Sequence, residues 1–296
     1  MTGGAYASPS AMRDALERRL LDLHNSTRLP LDRLRKEAAL QRLLARIAAV
    51  APPGSWALKG GLAMIARVGD HARATADADA TWRADQRHLR AMLDNASMVD
   101  LEDHFEFTIG QSRAIRGEGP EGGFRFPVVA RLASRTFENL RIDVNIVPED
   151  PRPIEKITLR NLFGFASVPA VVVPAITPEQ QLAEKLHAYT RDYGRQENGR
   201  AKDLYDMLVI AQQLPLPARD ELAGACRQTF DLRQTAWPPV LRPPPRSWDR
   251  PWQTFTADYG IQFTSLDSAY DALVRFWQPV FAGSVTTWNA DRWAWS

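Results

Sequence analysis

The chain has 296 residues, of which 45% are hydrophobic, and a formal net charge of +2, so it can bury a large core in one large domain or two of ordinary size. A single cysteine excludes an internal disulfide, and five histidines without a His-x-x-x-His pair leave carboxylates as the ligands for any metal, which favours Mg²⁺ or Mn²⁺. No run of about 18 apolar residues and no secretion signal is present, so we expect a cytoplasmic protein without a membrane partner.

Helices are the first predicted elements, between residues 10 and 50. Residues 51–55, Ala-Pro-Pro-Gly-Ser, end this run. Residues 12–46 carry nine Arg or Lys against five Asp or Glu. This local excess of positive charge suits an anionic partner and equally suits solvated helix faces. Apolar side chains near the end of the run recur at helical spacing: Leu40, Leu43, Leu44 and Ile47.

From residue 54 to 173 the pattern changes to mixed α/β. A strand, a turn and a helix are predicted in residues 55–68, and a second helix in residues 83–97. A strand and a linker are predicted in residues 169–178. The remaining predicted elements are strands, in residues 74–82, 104–110, 124–134 and 140–148.

The chain beyond residue 177 is predicted to be mostly helical. Thr177 offers a capping hydroxyl and Pro178 follows it at the first helical position. In residues 199–214, Lys202 and Asp206 are predicted to pair along one helix. A loop rich in Pro and Trp (236–252) precedes a last helix. Seven of the nine tryptophans lie at or after position 237, and we expect them to pack this segment onto the core rather than to stack on bases.

Two aspartates stand one residue apart in the segment Ala-Thr-Ala-Asp-Ala-Asp-Ala-Thr-Trp. In a strand, side chains alternate between faces, so Thr75, Asp77, Asp79 and Thr81 would share one face. Two residues of strand span roughly 6.6 Å, a separation at which two carboxylates can converge on one bound cation or metal pair. A solvent-exposed pair of charges has the same pattern, so the pair alone does not distinguish a cation site from an exposed strand face. The neighbouring motifs are needed to choose between them.

Two further segments point to the same chemistry. Gly60 and Gly61 follow Lys59 between a predicted strand and a predicted helix, where backbone N–H groups can approach phosphate oxygens and the lysine adds charge. In residues 141–146 apolar and polar side chains alternate, and Asp143 is the only carboxylate on the polar face. If this strand pairs with the strand of Asp77, a third carboxylate joins the first two.

In this order, the glycine pair, the Asp-x-Asp pair and the later strand carboxylate resemble the signature of the nucleotidyltransferase superfamily. With residues 184–192 and 200–207 added, residues 55 to 212 resemble the AbiEii/AbiGii toxin nucleotidyltransferases, which include the mycobacterial MenT toxins. The resemblance implies an α/β (α+β) nucleotidyltransferase core with a mixed sheet and a mainly helical C-terminal region. The expected divisions are N-terminal helices (1–53), the core (54–173) and the helical region (174–296).

The resemblance also implies roles for individual residues. Asp77, Asp79 and Asp143 are expected to hold Mg²⁺ or Mn²⁺ and to be catalytic, with Asp143 helping to deprotonate the attacking hydroxyl. Two departures from the usual pattern are the small Ala78 between the aspartates and a long gap from the glycines. The remaining catalytic and nucleotide-binding residues expected from the resemblance are Gly60, Gly61, Lys185, Arg191 and Asp203. Lys59 and Arg73 are expected to bind nucleotide because they lie next to the glycine pair and shortly before the Asp-x-Asp pair.

The function implied by the resemblance is that of a toxin. It would transfer a nucleoside monophosphate from an NTP, expected to be a pyrimidine NTP, to RNA, and foremost to the 3′ acceptor end of tRNA, blocking translation and growth. A cognate antitoxin is the implied partner. Two alternatives stay open: transfer to a protein hydroxyl by the same fold, and a non-catalytic protein that binds nucleotide or antitoxin. Phosphodiester hydrolysis is disfavoured because a nuclease has no need of the glycine pair.

Overall fold

A computed structural model describes residues 6–75, 77–115, 122–148, 150–194 and 197–296. The chain divides into two units, one formed by Met1–Ala66 and Ala74–Ala175 and the other by Arg67–Arg73 and Ile176–Ser296. Within the described residues no helix combines the length and apolar character needed to cross a bilayer.

The first unit combines helices with one large sheet. Its helices are α1 (Pro9–Thr27), α2 (Leu31–Val50), α3 (Gly60–Val68) and α4 (Arg87–Met98), of which α3 has its last two residues in the second unit. Its strands are β1 (Trp56–Lys59), β2 (Asp77–Trp82), β3 (Phe105–Ile109), β4 (Arg113–Ile115), β5 (Gly123–Leu132), β6 (Arg135–Ile146), β7 (Ile154–Thr158) and β8 (Val172–Ile176). The short strands β4 and β7 had no counterpart among the predicted elements.

The sheet of the first unit is mixed, as predicted. Its strand order is β3-β5-β6-β2-β1-β8-β7, and β4 pairs with β5. β2 pairs in parallel with β6 and antiparallel with β1, whereas β8 runs parallel to β1. β5 pairs antiparallel with β3, β4 and β6. The central position of β2 brings the two aspartates of the Asp-x-Asp pair into the middle of the sheet.

The core of the first unit lies between α2 and the apolar face of β6. Ile142, Val144 and Ile146 are almost fully buried, as are the leucines that recur along α2. Because side chains alternate along a strand, the intervening polar residues of β6 project from the opposite face of the sheet. The apolar periodicity of β6 therefore decides which face carries Asp143.

Two arginines of the positively charged N-terminal segment are buried in this core and form ion pairs there. Arg42 and Arg46 on α2 are buried and both bind Asp103, with Arg42 Nε 2.5 Å from Asp103 Oδ2 and Arg46 Nη2 2.7 Å from Asp103 Oδ1. The two arginines hold the pKa of Asp103 below its ordinary value even though burial alone would raise it. These two cations are therefore not part of a solvent-exposed basic patch.

The second unit is mainly helical. It contains α5 (Pro178–Thr190), α6 (Ala201–Gln213), α7 (Arg219–Leu232), α8 (Asp249–Tyr259) and α9 (Leu266–Ala282), followed by the short strands β9 (Trp288–Asn289) and β10 (Ala294–Trp295). α8 begins inside the segment predicted to be a Pro- and Trp-rich loop and was not predicted. Its Trp252 is buried and donates from Nε1 to the carbonyl of Phe263 at 3.0 Å.

Two of the C-terminal tryptophans, Trp288 and Trp293, pack and hydrogen-bond as expected for structural residues. Trp288 donates from Nε1 to the carbonyl of Ala211 at 2.7 Å, and Trp293 donates to the carbonyl of Ala272 at 3.1 Å. Both side chains are buried, and the two rings pack edge to face with centroids 5.1 Å apart. Each indole thus satisfies its single donor while covering apolar surface.

The start of α5 differs from the prediction in one respect. Thr177 is the residue before the helix and Pro178 is its first residue, but the Thr177 side chain makes no capping hydrogen bond. Its hydroxyl is buried and has no hydrogen-bond partner among the described residues. The predicted capping role of this hydroxyl was therefore wrong, whereas the position of the helix start was correct.

Candidate active site

A row of charged residues crosses four neighbouring strands at the centre of the sheet. Lys59 in β1 pairs with Asp79 in β2, Asp79 pairs with Asp143 in β6, and Asp143 pairs with Arg125 in β5. Residues paired in register project from the same face, on strands about 4.8 Å apart. The expected pairing of the Asp143 strand with the Asp-x-Asp strand is therefore confirmed.

A second row lies two residues away on the same face. Asp77 in β2 pairs with Arg141 in β6, which pairs with Pro127 in β5. Thr75 does not share this face as a strand residue, because β2 begins only at Asp77. Its hydroxyl instead donates to the backbone carbonyl of Asp77 at 3.0 Å. Ala76, which falls within the predicted strand, lies outside the described residues.

Two of the three carboxylates form ion pairs with arginines. Arg125 binds Asp143 with both branches of its guanidinium, from Nε to Oδ1 at 2.7 Å and from Nη2 to Oδ2 at 2.6 Å. Arg141 Nε donates to Asp77 Oδ1 at 2.7 Å. Hydrogen bonding and the negative charge of Asp143 raise the pKa of Arg125 above its ordinary value. Sequence reasoning missed both arginines, although Arg141 lies only two residues from Asp143.

The donor chemistry of Asp77, Asp79 and Asp143 fits a hard divalent cation, because all three offer carboxylate oxygens on one face. Within the part of the chain that the structure describes, however, no group of three or more His, Cys, Asp or Glu residues is gathered as a metal site. The guanidinium groups of Arg125 and Arg141 supply the positive charge that balances Asp143 and Asp77. The metal assignment of the three aspartates stays a prediction.

The glycine pair shapes the backbone next to Asp79. Gly60 starts α3 with a φ of +67°, a conformation that favours glycine. A Cβ at this position would lie 2.8 Å from Asp79 Cγ and closer still to Oδ2. A Cβ at Gly61 would lie 2.7 Å from Thr75 Cβ. Gly60 therefore lets the Asp79 carboxylate lie against the N-terminus of a helix, where the helix dipole favours anions.

Lys59 is placed beside this carboxylate. It is the last residue of β1, directly across from Asp79, and only 4% of its surface is exposed. A lysine that is almost fully buried next to the aspartate row contributes positive charge at the base of the glycine turn. The predicted strand, turn and helix around the glycine pair are confirmed.

In the second unit, Lys185 belongs to a buried ionic cluster. Its ammonium donates to Asp206 and lies 3.5 Å from Asp203 Oδ1. Arg73 binds the same Asp206 carboxylate from Nε at 2.9 Å and from Nη2 at 2.7 Å. Asp206 thus joins two cations and not the exposed Lys202, with which it was predicted to pair. That predicted pair was wrong.

Opposing effects set the pKa values in this cluster. Burial alone would lower the pKa of Lys185, but the negative charges of Asp206 and Asp203 raise it above its ordinary value. Burial alone would raise the pKa of Asp206, but the charges of Lys185 and Arg73 lower it. Lys185 and Asp206 therefore both carry their charges at neutral pH. Sequence reasoning missed Asp206 because its partners are distant along the chain.

Arg191 and Asp203 were also predicted as site residues. Arg191 follows the end of α5, is exposed, and places its guanidinium 5.7 Å from the ring centroid of Tyr193. Asp203 is buried near the start of α6, and its second oxygen lies 3.6 Å from Arg200 Nη1. Asp203 and Lys185 therefore belong to one cluster, whereas Arg191 contacts the half-buried ring of Tyr193.

Comparisons with known proteins give a family match and similar solved structures. Residues 42–274 match a protein-family model described as the nucleotidyl transferase AbiEii toxin of type IV toxin–antitoxin systems. No curated protein matches the sequence. Among solved structures, the nucleotidyltransferase toxin MenT4 from Mycobacterium tuberculosis is similar, with 16% identity, a TM-score of 0.49, and coverage of 92% of this chain and 98% of that chain. An antigenic nucleotidyltransferase-like protein from Paracoccidioides brasiliensis has 21% identity, a TM-score of 0.36, and coverage of 67% and 89%.

Proposed function

The chain belongs to the AbiEii family of nucleotidyltransferase toxins, and we propose that it transfers a nucleoside monophosphate from an NTP to the 3′ hydroxyl of RNA. The proposed acceptor is the 3′ end of tRNA and the proposed donor a pyrimidine NTP. The observation that carries the proposal is the charged row Lys59, Asp79 and Asp143 beside the Gly60 turn. It combines a phosphate-binding turn with carboxylates on one face of a rigid sheet.

The proposed chemistry is one substitution at phosphorus. The 3′ oxygen of the acceptor bonds to the α-phosphorus. The bond between the α-phosphorus and the oxygen that bridges it to the β-phosphate breaks, and pyrophosphate leaves. Asp143 accepts the proton of the attacking hydroxyl. A divalent cation held by Asp77, Asp79 and Asp143 would neutralise the phosphate charge that opposes the reaction. Backbone N–H groups at Gly60 and Gly61 bind phosphate oxygens, and the glycines keep Asp79 at its position.

Residues of the second unit are proposed to act on the nucleotide phosphates. Lys185 and Arg191 are the proposed triphosphate ligands, and Asp203 with Asp206 orients the Lys185 ammonium. Arg73 was expected to contact phosphate too, but both branches of its guanidinium bind Asp206. We therefore propose that Arg73 positions Asp206 and, through it, Lys185.

A cognate antitoxin is the proposed protein partner, since the family model is that of a toxin from type IV toxin–antitoxin systems. Transfer to the acceptor end of tRNA would prevent aminoacylation and so block translation and growth. Expression of the chain without its antitoxin is then expected to arrest growth, whereas expression of the Asp79→Ala variant is not.

The direct test uses the purified chain with Mg²⁺, each α-labelled NTP in turn, and either total tRNA or total protein. Wild type is expected to label tRNA, and Asp79→Ala is expected to lose the labelling while keeping the circular dichroism spectrum. Asp94→Ala is the matched control, because Asp94 is a half-exposed carboxylate that pairs with Arg90 outside the charged row. Equal activity of Asp79→Ala and wild type would refute the metal role. Label on protein alone would assign a different acceptor, and label nowhere would favour a binding protein.

A further inference from the structure

A pocket lined by arginines adjoins the charged row on one side. It has a volume of about 660 Å³ and lies against β4, β5 and β6 and the turn before β4. Among the residues that the structure describes, its polar lining is cationic and neutral, without an acidic side chain. The lining residues are Gln111, Ser112, Arg113, Arg125, Pro127 and Arg141.

Strand register fixes the position of this arginine pocket relative to the carboxylates. Arg113 in β4 pairs with Arg125 in β5, which pairs with Asp143 in β6, which pairs with Asp79 in β2. Three strand spacings separate Asp79 from Arg113, or about 14 Å. Gly60 lies at the end of β1, on the opposite side of β2. The arginine pocket and the glycine turn therefore flank the aspartates from opposite sides.

The pocket carries excess positive charge. Arg125 and Arg141 bind Asp143 and Asp77, yet 41% and 49% of their side-chain surfaces remain exposed. Arg113 is exposed and has no ion-pair partner among the residues that the structure describes. Guanidinium groups bind phosphate oxygens through two parallel N–H donors, which makes three neighbouring arginines a receptor for a polyanion.

The geometry of phosphoryl transfer indicates which polyanion would meet the arginine pocket. The attacking and leaving oxygens lie roughly in line on opposite sides of the transferred phosphorus. If the leaving pyrophosphate lies at the glycine turn, the attacking hydroxyl approaches from the side of β6 and β5. The acceptor strand carries phosphates next to its terminal hydroxyl, so its backbone meets the arginine pocket.

We propose that the arginine pocket binds the phosphodiester backbone of single-stranded acceptor RNA just upstream of its 3′ end. This inference rests on the proposed function and assigns the acceptor side of the same site. Arg125 and Arg141 bridge the metal-binding carboxylates and the RNA backbone, and Arg113 binds a phosphate farther from the reacting end.

The test measures RNA binding separately from transfer. A short fluorescein-labelled single-stranded RNA with a 3′-deoxy end, which cannot accept a nucleotide, is titrated with the full chain at several salt concentrations. Arg113→Ala is expected to weaken binding about five- to tenfold and to reduce the slope of log affinity against log salt by about 0.7, the value for one phosphate contact on a single strand. Arg113→Lys is expected to keep the slope and recover part of the affinity. Arg131→Ala, an exposed arginine on β5 outside the pocket, is the matched control and is expected to bind like wild type.

Failure of the inference and failure of the proposed function have different signatures. NTP binding to the same variants, measured by calorimetry, reports on the nucleotide site and is expected to match wild type. The RNA-binding role of the arginine pocket alone is overturned if Arg113→Ala leaves the RNA affinity unchanged. It is also overturned if wild type binds NTP but does not bind RNA. If wild type neither binds NTP nor transfers a nucleotide, the proposed function is overturned. Thermal denaturation of each variant checks that the fold is kept.

Discussion

Replacing Gly60 with alanine isolates the contact between the glycine turn and Asp79. Gly60 has a φ of +67°, and an added Cβ would lie 2.8 Å from Asp79 Cγ and 2.9 Å from Asp79 Cβ. Real Cβ contacts are essentially never shorter than 3.0 Å, and the Oδ2 atom is closer still. The Asp79 carboxylate must therefore move by roughly 1 Å, a displacement that can cost about 100-fold in rate at a catalytic position.

The chain supplies a matched control for the backbone cost of this substitution. Gly54 has a φ of +75°, but an added Cβ there meets no atom within 4 Å. Both alanine variants lose about 1 to 2 kcal/mol from the left-handed conformation, so both are expected to lower the melting temperature by a similar few degrees. Only Gly60→Ala adds the displacement of Asp79.

The assay is the transfer of labelled nucleotide to tRNA, with thermal denaturation of the same preparations. Gly60→Ala is expected to lose about 100-fold in transfer rate, and Gly54→Ala to remain within a few-fold of wild type. Equal activity of the two variants would refute the reasoning, because it would mean that Asp79 tolerates displacement or does not act. A loss of stability much larger in Gly60→Ala would point instead to a structural role of the turn.

Three further outcomes follow from the ion pairs. Asp206→Ala leaves Lys185 and Arg73 buried without their shared carboxylate. In urea denaturation we expect its free energy of unfolding to be lower by about 3 to 5 kcal/mol. A loss below about 1 kcal/mol would contradict a stabilising role of the cluster. Because the pKa of Asp206 is lowered in the folded state, its stabilisation is present above the ordinary carboxyl pKa of about 4 and is lost as the pH falls below it. Unfolding free energies between pH 6 and about pH 3 should therefore decline more steeply in wild type than in Asp206→Asn, and parallel curves would argue against this assignment. Arg125→Ala frees Asp143 from its guanidinium and is expected to bind Mn²⁺ about tenfold more tightly in calorimetry; weaker or unchanged binding would contradict competition between the two cations.

The sequence predicted those parts of the site that depend on local periodicity. Alternation around Asp143 identified its strand and its polar face, and the two glycines marked the junction of β1 and α3. The partnership of this strand with that of Asp79 was a hypothesis that strand pairing confirmed. These features were accessible because side-chain direction in a strand repeats every two residues and glycine tolerates a positive φ.

Long-range register decided what the sequence did not reveal. Arg125 meets Asp143 only because β5 and β6 pair with a particular register, eighteen residues apart along the chain. Asp206 has a lysine four residues away at Lys202, and local spacing favoured that pair. In the folded chain the carboxylate is buried and binds a lysine twenty-one residues away. Helix α8 was missed because the prolines and tryptophans around it are typical of loops, whereas packing of Trp252 stabilises a helix there.

The pairing of Asp143 and Asp77 with arginines would also make folding independent of the proposed metal binding. Carboxylates crowded on one face repel each other, and many small metalloproteins fold only when a cation relieves that repulsion. Here Arg125 and Arg141 act as built-in counterions, so the sheet can assemble while the cell supplies no ion to it. If the proposed metal site is correct, a chelator should stop the proposed transfer without unfolding the chain, because the arginines neutralise these carboxylates in the absence of a cation.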